Sequence, residues 1–144
     1  MAVKPIPDGY SAVTPYLIAR DVDTILEFVK RAFNATEVDV HRDGSGRVVH
    51  ADVIIGNAHI MMGQANEKWP ERLGSIHLYV PDADATYRAA LAAGATSLYD
   101  VTTQFYGDRS GGVEDPAGMA WWISTHVEDV SPEEMQRRMQ ARQA

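Results

Sequence analysis

Alternating apolar residues, followed by helical spacing, occur twice along the chain. One stretch begins at Thr14 and reads TPYLIARDVDTILEFVKRAFNAT; the other begins at Ser75 and reads SIHLYVPDADATYRAALAAGAT. In each, the alternation predicts a strand, and apolar residues three and four apart after a D-x-D predict a helix. Asp21 and Asp82 are predicted N-caps, because a short side-chain oxygen can accept a hydrogen bond from the first helical turn. Gly94 is predicted to end the second helix.

Three further apolar runs follow each helix, so the unit strand, helix, strand, strand, strand is used twice. The two modules are predicted over about 11–64 and about 74–126. A repeat near sixty residues that occurs twice is too long and too rare for a solenoid. Duplicated βαβββ units can complete each other by pairing two curved sheets. We therefore predict one α+β domain over 1–144, with helices outside and a cup-shaped mixed sheet inside.

A short C-terminal helix is predicted over about 131–142. Ser131 is suited to the N-cap, Pro132 to the first helical position and Glu134 to the third, which together form a capping box. The residues that follow are mostly polar, so we expect this helix to pack lightly or to contact a partner subunit.

Composition narrows the class of protein. The 144 residues suit one domain, and the formal net charge of −7 argues against generic nucleic-acid binding, which needs a basic face. The absence of cysteine excludes disulfides, thiolate metal sites and a cysteine nucleophile. No apolar stretch is long enough to span a membrane, and the N-terminus has no apolar leader. We therefore expect a cytoplasmic protein without nucleic-acid or membrane partners.

Paired βαβββ modules in this order resemble the vicinal oxygen chelate superfamily. This superfamily includes glyoxalase I, extradiol dioxygenases and the bleomycin and fosfomycin resistance proteins. A closer resemblance, to its PhnB-like subgroup, is carried by VTPYL, HADVIIG, HLYV, FYGDR, EDPAG and THVEDVSPEEM. The last segment is the most specific, because it is long. The resemblance implies a homodimer, although it does not decide whether the modules pair within one chain or between two.

Enzymes of the superfamily hold a divalent metal with His or Glu side chains from four strands. In that superfamily, two ligands lie seven residues before the Asp that caps each helix, and the other two lie four residues after the glycine that opens each last strand. In this sequence the first spacing leads to Thr14 and Ser75, and the second leads to Ile60 and Trp122. Neither an aliphatic side chain nor an indole supplies a lone pair to a metal. We therefore expect no metal and no other cofactor.

Adjacent tryptophans end the second module, and neighbours in a strand point to opposite faces. We predict that Trp122 faces the cup and Trp121 the helix-covered core. Asp108 and Arg109 are predicted either to hold a polar group of a ligand at the mouth of the cup or to form an ion pair with each other that fixes the loop. The predicted ligand-binding residues, an aromatic and apolar lining with polar tips, are Tyr16, Ile60, Met62, His77, Tyr79, Arg109 and Trp122. Such a lining favours metal-independent binding of a small aromatic or amphipathic molecule, such as drug or toxin sequestration.

Two alternatives remain open. A lyase, isomerase or dioxygenase could use a displaced metal site or a general base at His50, Asp52 and His77. In the simpler interpretation, His50 and Asp52 bond to each other or to a neighbouring strand, and His59 is a structural histidine that faces away from the cup. The other alternative is a structural or regulatory dimer whose cup is filled by Trp122.

Overall fold

The computed structural model describes residues 2–143. It contains eight strands and three helices in the predicted order, and the α+β class is confirmed. The elements are β1 (Tyr16–Ala19), α1 (Val22–Phe33), β2 (Thr36–Arg42), β3 (Val48–Ile55), β4 (Ala58–Gln64), β5 (Ser75–Tyr79), α2 (Ala83–Ala92), β6 (Thr96–Thr103), β7 (Asp108–Glu114), β8 (Ala120–His126) and α3 (Pro132–Gln143).

The helices begin where the capping residues predict. The carboxylates of Asp21 and Asp82 accept the backbone N–H three residues later, at 3.2 and 3.1 Å. Ser131 Oγ accepts the amide of Glu134 at 3.2 Å, so the C-terminal helix has its predicted N-cap. Gly94 follows α2 with φ of +108°, a left-handed value that glycine adopts without steric cost. These four local predictions are therefore confirmed.

Each module forms its own four-stranded mixed sheet. The first sheet has the order β1-β4-β3-β2 and the second has the order β5-β8-β7-β6. In both, the first and last strands of the module pair in parallel, and the other neighbours are antiparallel. Among the described residues, β1 is an edge strand of the first sheet and β5 is an edge strand of the second, and the two do not pair. The described chain therefore forms two sheets rather than one continuous eight-stranded sheet.

The two modules share one hydrophobic core on the helix-covered faces of the sheets. Helix α1 covers the first sheet, α2 covers the second, and the two helices contact each other. Phe33 at the end of α1 reaches Trp121 of β8, with ring centroids 4.8 Å apart, and Trp121 is fully buried. The helix faces thus join the modules. Within 2–143, no helix combines the length and apolar content required to cross a membrane.

Candidate functional site

The face of each sheet opposite its helix is called its open face. In β8, Trp121 and Ile123 are completely buried under α2, so Trp122 between them lies on the open face, as the alternation predicts. The pairing between strands then shows which other residues lie on the open faces. On the first sheet they include Tyr16, Ile18, His50, Asp52, His59, Met61 and Gly63. On the second they include Ser75, His77, Tyr79, Tyr99, Ser110, Gly112, Ala120, Trp122 and Ser124.

An aromatic row crosses the second open face. Tyr99, Gly112, Trp122 and His77 occupy successive paired positions on β6, β7, β8 and β5. The Tyr99 and Trp122 rings are stacked across the glycine, with centroids 6.0 Å apart and planes 24° apart. A Cβ at Gly112 would lie 2.6 Å from Tyr99 and 2.8 Å from Trp122, so only glycine leaves room for both rings. The row thus places three ring side chains on one face of the sheet.

A polar group borders the aromatic row. Asp108 is 4% exposed and accepts the Tyr79 hydroxyl at 2.8 Å, while its other oxygen lies 2.9 Å from His126 Nδ1. The hydrogen bond to Asp108, followed by burial, raises the pKa of Tyr79, so its phenol stays neutral and donates. Asp108 and then Asp129, which lies 2.7 Å from Nε2, raise the pKa of His126. The Tyr79 ring, 4.8 Å from that of His77, is thereby held at the edge of the row.

The first open face carries a cleft of about 460 Å³. Tyr16 lies across Gly63, where a Cβ would come within 2.6 Å of the tyrosine hydroxyl. Trp69 lies on the connector between the modules, is 54% exposed and forms another wall of this cleft. Sequence reasoning did not identify Trp69 or Tyr99, because the connector and the largely exposed β6 have no alternation that assigns a face.

Ile60 and Met62 do not line an open face, contrary to the prediction. They are 3% and 0% exposed and pack in the core, while Met61 between them faces outward. The two-residue turn between β3 and β4 is flanked by the pair Ile55 and Ala58, whose side chains point to the core side of the sheet. The longer loop between β7 and β8 is flanked by the pair Glu114 and Ala120, whose side chains point to the open face. The residue four positions after Gly56 therefore faces the core, whereas the residue four positions after Gly118 lies on the open face. The predicted metal-ligand position in β4 corresponds to Met61.

Arg109 is also placed differently from a ligand anchor. It belongs to β7, one residue after Asp108, and therefore points to the helix side. Its Nε and Nη2 donate to the Asp84 carboxylate at 2.6 and 2.8 Å. This bidentate bond lowers the pKa of Asp84 and raises that of Arg109. The structure thus contains an ion pair of Arg109, but with Asp84 and not with the neighbouring Asp108 as predicted, and it links β7 to the first turn of α2.

The three residues of the alternative metal site are separated. His50 and Asp52 lie on the first open face and His77 on the second. Across the described chain, no group of three or more His, Cys, Asp or Glu residues is placed to hold a metal ion. Asp52 bonds instead to His59, with Oδ1 and Nδ1 3.0 Å apart, and to Tyr10. His59 therefore lies on the open face, not away from it as predicted.

Comparison with known proteins agrees with this architecture. The family model described as Glyoxalase/Bleomycin resistance protein/Dioxygenase superfamily matches residues 11–123. The uncharacterized protein Mb0911c of Mycobacterium bovis is 32% identical, with 89% of this chain and 91% of that protein covered. The uncharacterized protein Rv0887c of Mycobacterium tuberculosis H37Rv is also 32% identical, with 89% and 82% covered.

Solved structures show the same fold at lower identity. TioX from Micromonospora sp. ML1 superposes with a TM-score of 0.71 at 22% identity, covering 81% of this chain and 99% of that one. A glyoxalase/bleomycin resistance protein/dioxygenase family enzyme from Burkholderia phytofirmans PsJN has a TM-score of 0.66 at 17% identity, covering 79% and 97%. From the matching family model and the paired modules, this chain belongs to the glyoxalase/bleomycin resistance protein/dioxygenase superfamily.

Proposed function

We propose that this protein binds a small aromatic or amphipathic molecule without a metal, in the manner of a sequestering protein. The observation that carries the proposal is the aromatic row on the second open face. Tyr99 and Trp122 stack across Gly112, which leaves room for both rings, and His77 occupies the next paired position on the same face. Stacking on such rings contributes affinity without requiring one particular ligand geometry.

The side chains at the four metal-ligand positions support binding without a metal. After the register correction in β4, these positions carry Thr14, Met61, Ser75 and Trp122. None is the His or Glu that metal-dependent members use, and an indole supplies no lone pair. A drug or toxin held on the rings would be sequestered without being altered. The THVEDVSPEEM segment, which forms the end of β8 and the start of α3, supports placement in the PhnB-like subgroup.

A second copy of the chain is part of the proposal. Tyr16 and Tyr79 are 51% and 60% exposed on the two open faces, although both are large aromatic residues. The helix-covered faces are already used for packing between the modules, so the exposed rings on the open faces are available for burial by a partner. A homodimer in which the first open face of one copy meets the second open face of its partner would enclose a cup. Sedimentation should then give twice the 15.9 kDa mass of the chain.

Intrinsic fluorescence tests the proposal directly. A panel of planar and amphipathic compounds is titrated in the presence of EDTA, and quenching should persist under chelation. Trp122→Ala should raise the Kd of a hit by about 10- to 100-fold, the effect of losing a central aromatic anchor. Leu91→Ala, at a half-exposed position on α2, is the matched control and should leave the Kd unchanged. Binding that EDTA abolishes, or that Trp122→Ala leaves intact, would contradict the proposal.

A further inference from the structure

Tyr10 lies on the first open face although it belongs to no strand. Its ring is stacked on the imidazole of His59, with centroids 3.7 Å apart and planes 18° apart. Its hydroxyl donates to Asp52 Oδ2. The phenol of Tyr10 is therefore held in two ways at once, by a flat aromatic surface below the ring and by a carboxylate at its polar end.

The two groups that hold Tyr10 form a rigid, nearly buried pair. Asp52 is 3% exposed, and the His59 side chain is 8% exposed. Asp52 Oδ1 lies 3.0 Å from His59 Nδ1, which fixes the orientation of the imidazole plane. Both residues belong to the paired strands β3 and β4, so their positions depend on the sheet and not on Tyr10.

The segment that carries Tyr10 is attached much more weakly. Residues 2–9 and 11–13 are exposed, including Val3 at 92% and Val13 at 80%. A cleft of about 420 Å³ lies along this segment, lined mainly by the segment itself, including Ile6 and Tyr10, and by Met61 of β4. That volume is within the range of small-molecule sites, about 300–1,000 Å³. Movement of a few exposed residues would therefore vacate the place of the Tyr10 ring while the sheet stays intact.

We propose that Asp52 and His59 form a recognition site for neutral phenolic compounds, which Tyr10 occupies as an internal, displaceable ligand. The inference extends the proposed function by naming the chemical class of a ligand, but it concerns the first open face and does not involve Trp122. A phenol from outside reproduces both contacts of Tyr10, the ring on the imidazole and the hydroxyl on the carboxylate.

Charge at the site selects the neutral form of such a ligand. Asp39 is paired with Asp52 across β2 and β3, so two acidic residues lie at this position of the sheet. The hydrogen bond to Asp52, then burial, then the charges of both carboxylates raise the pKa of Tyr10. An incoming phenol is subject to the same carboxylates and stays protonated. A benzoate-type anion is repelled, and an aromatic hydrocarbon leaves the buried Asp52 oxygen without a donor, which is costly.

The test compares 4-methylphenol, toluene and 4-methylbenzoate as probes on the full-length chain. Tyr10→Ala vacates the site, so it should bind 4-methylphenol at least tenfold more tightly than the unmodified protein. It should also prefer 4-methylphenol at least tenfold over either other probe. Tyr10→Phe is the matched control, because its ring still covers His59 but gives Asp52 no donor, so it should bind 4-methylphenol more tightly than the unmodified protein and less tightly than Tyr10→Ala. Calorimetry gives the Kd values, and the His59 ring resonances locate the binding by NMR.

The inference is overturned if Tyr10→Ala binds 4-methylphenol no more tightly than the unmodified protein, binds toluene equally well, or binds with the His59 resonances unmoved. Circular dichroism verifies that the variant is folded. If it is not, Tyr10→Leu, which keeps an apolar side chain without an aromatic ring, is subject to the same criteria. If the ligand screen at Trp122 fails, the phenol-binding result still holds, because the substituted residue Tyr10 and the observed residue His59 both lie on the first open face.

Discussion

Replacing Trp121 by alanine should destabilise the protein far more than the same change at Trp122, although the two residues are adjacent. Trp121 is completely buried, and its ring packs against Phe33. A buried aromatic side chain removes about 150–250 Å² from water. At about 25 cal/mol per Å², truncation to alanine costs about 4–6 kcal/mol. This is close to the entire stability of a marginal domain, about 5 kcal/mol.

A milder change isolates the polar part of this contribution. The Trp121 Nε1–H donates to Asp115 Oδ2 at 2.9 Å, and Asp115 is 4% exposed. Trp121→Phe keeps most of the packing but leaves that oxygen without its donor. The other Asp115 oxygen still accepts two backbone amides of its loop, at 2.8 and 3.0 Å. The expected loss is about 1–3 kcal/mol, the cost of an unpaired buried acceptor.

Trp122→Ala removes mainly a stack with Tyr99 on the open face. Such a pair contributes about 0.5–1.5 kcal/mol beyond burial, so we expect a total cost of about 1–2 kcal/mol. Urea unfolding of the three variants and the parent protein, repeated at two protein concentrations, measures these free energies and detects any contribution from association. If Trp122→Ala is more destabilising than Trp121→Ala at both concentrations, the assignment of the two faces is refuted.

Three further predictions concern the metal, α3 and a histidine. Elemental analysis of protein purified without chelator should find no stoichiometric divalent metal; one tightly bound zinc, manganese, nickel or iron per chain would contradict this. Ser131→Ala should lower the hydrogen-exchange protection of α3 amides about fivefold, corresponding to about 1 kcal/mol for a lost N-cap. Because no side chain within Pro132–Gln143 is buried, the global unfolding free energy should hardly change, and a loss of several kcal/mol would contradict the light packing. An NMR titration should place the pKa of His126 above its ordinary 6.5, since Asp108 and then Asp129 favour the protonated imidazole; an unshifted or lower value contradicts the assigned contacts. The stabilisation is complete below the unfolded-state pKa and is lost as the pH rises through the raised folded-state pKa, so the stability difference from His126→Gln should vanish over that window.

Local patterns in the sequence were sufficient to determine several features of this protein. The D-x-D motifs predict the starts of α1 and α2, because an N-cap involves only residues within one turn. Alternation within β8 separates Trp121 from Trp122, because neighbouring side chains in a strand must leave on opposite faces. The repetition of the βαβββ unit indicates the family fold, because each module repeats the same order of elements.

Other features depend on contacts between residues far apart in the chain, and only the tertiary structure decided them. The turn that closes β3 and β4 reverses the expected faces of Ile60 and Met61, since one residue of register moves a side chain to the other side. Arg109 pairs with Asp84, 25 residues away in the sequence and on α2, and Asp52 accepts a hydrogen bond from Tyr10, 42 residues away. No spacing rule encodes such pairs, because they arise from the way the helices and the N-terminal segment pack on the sheets.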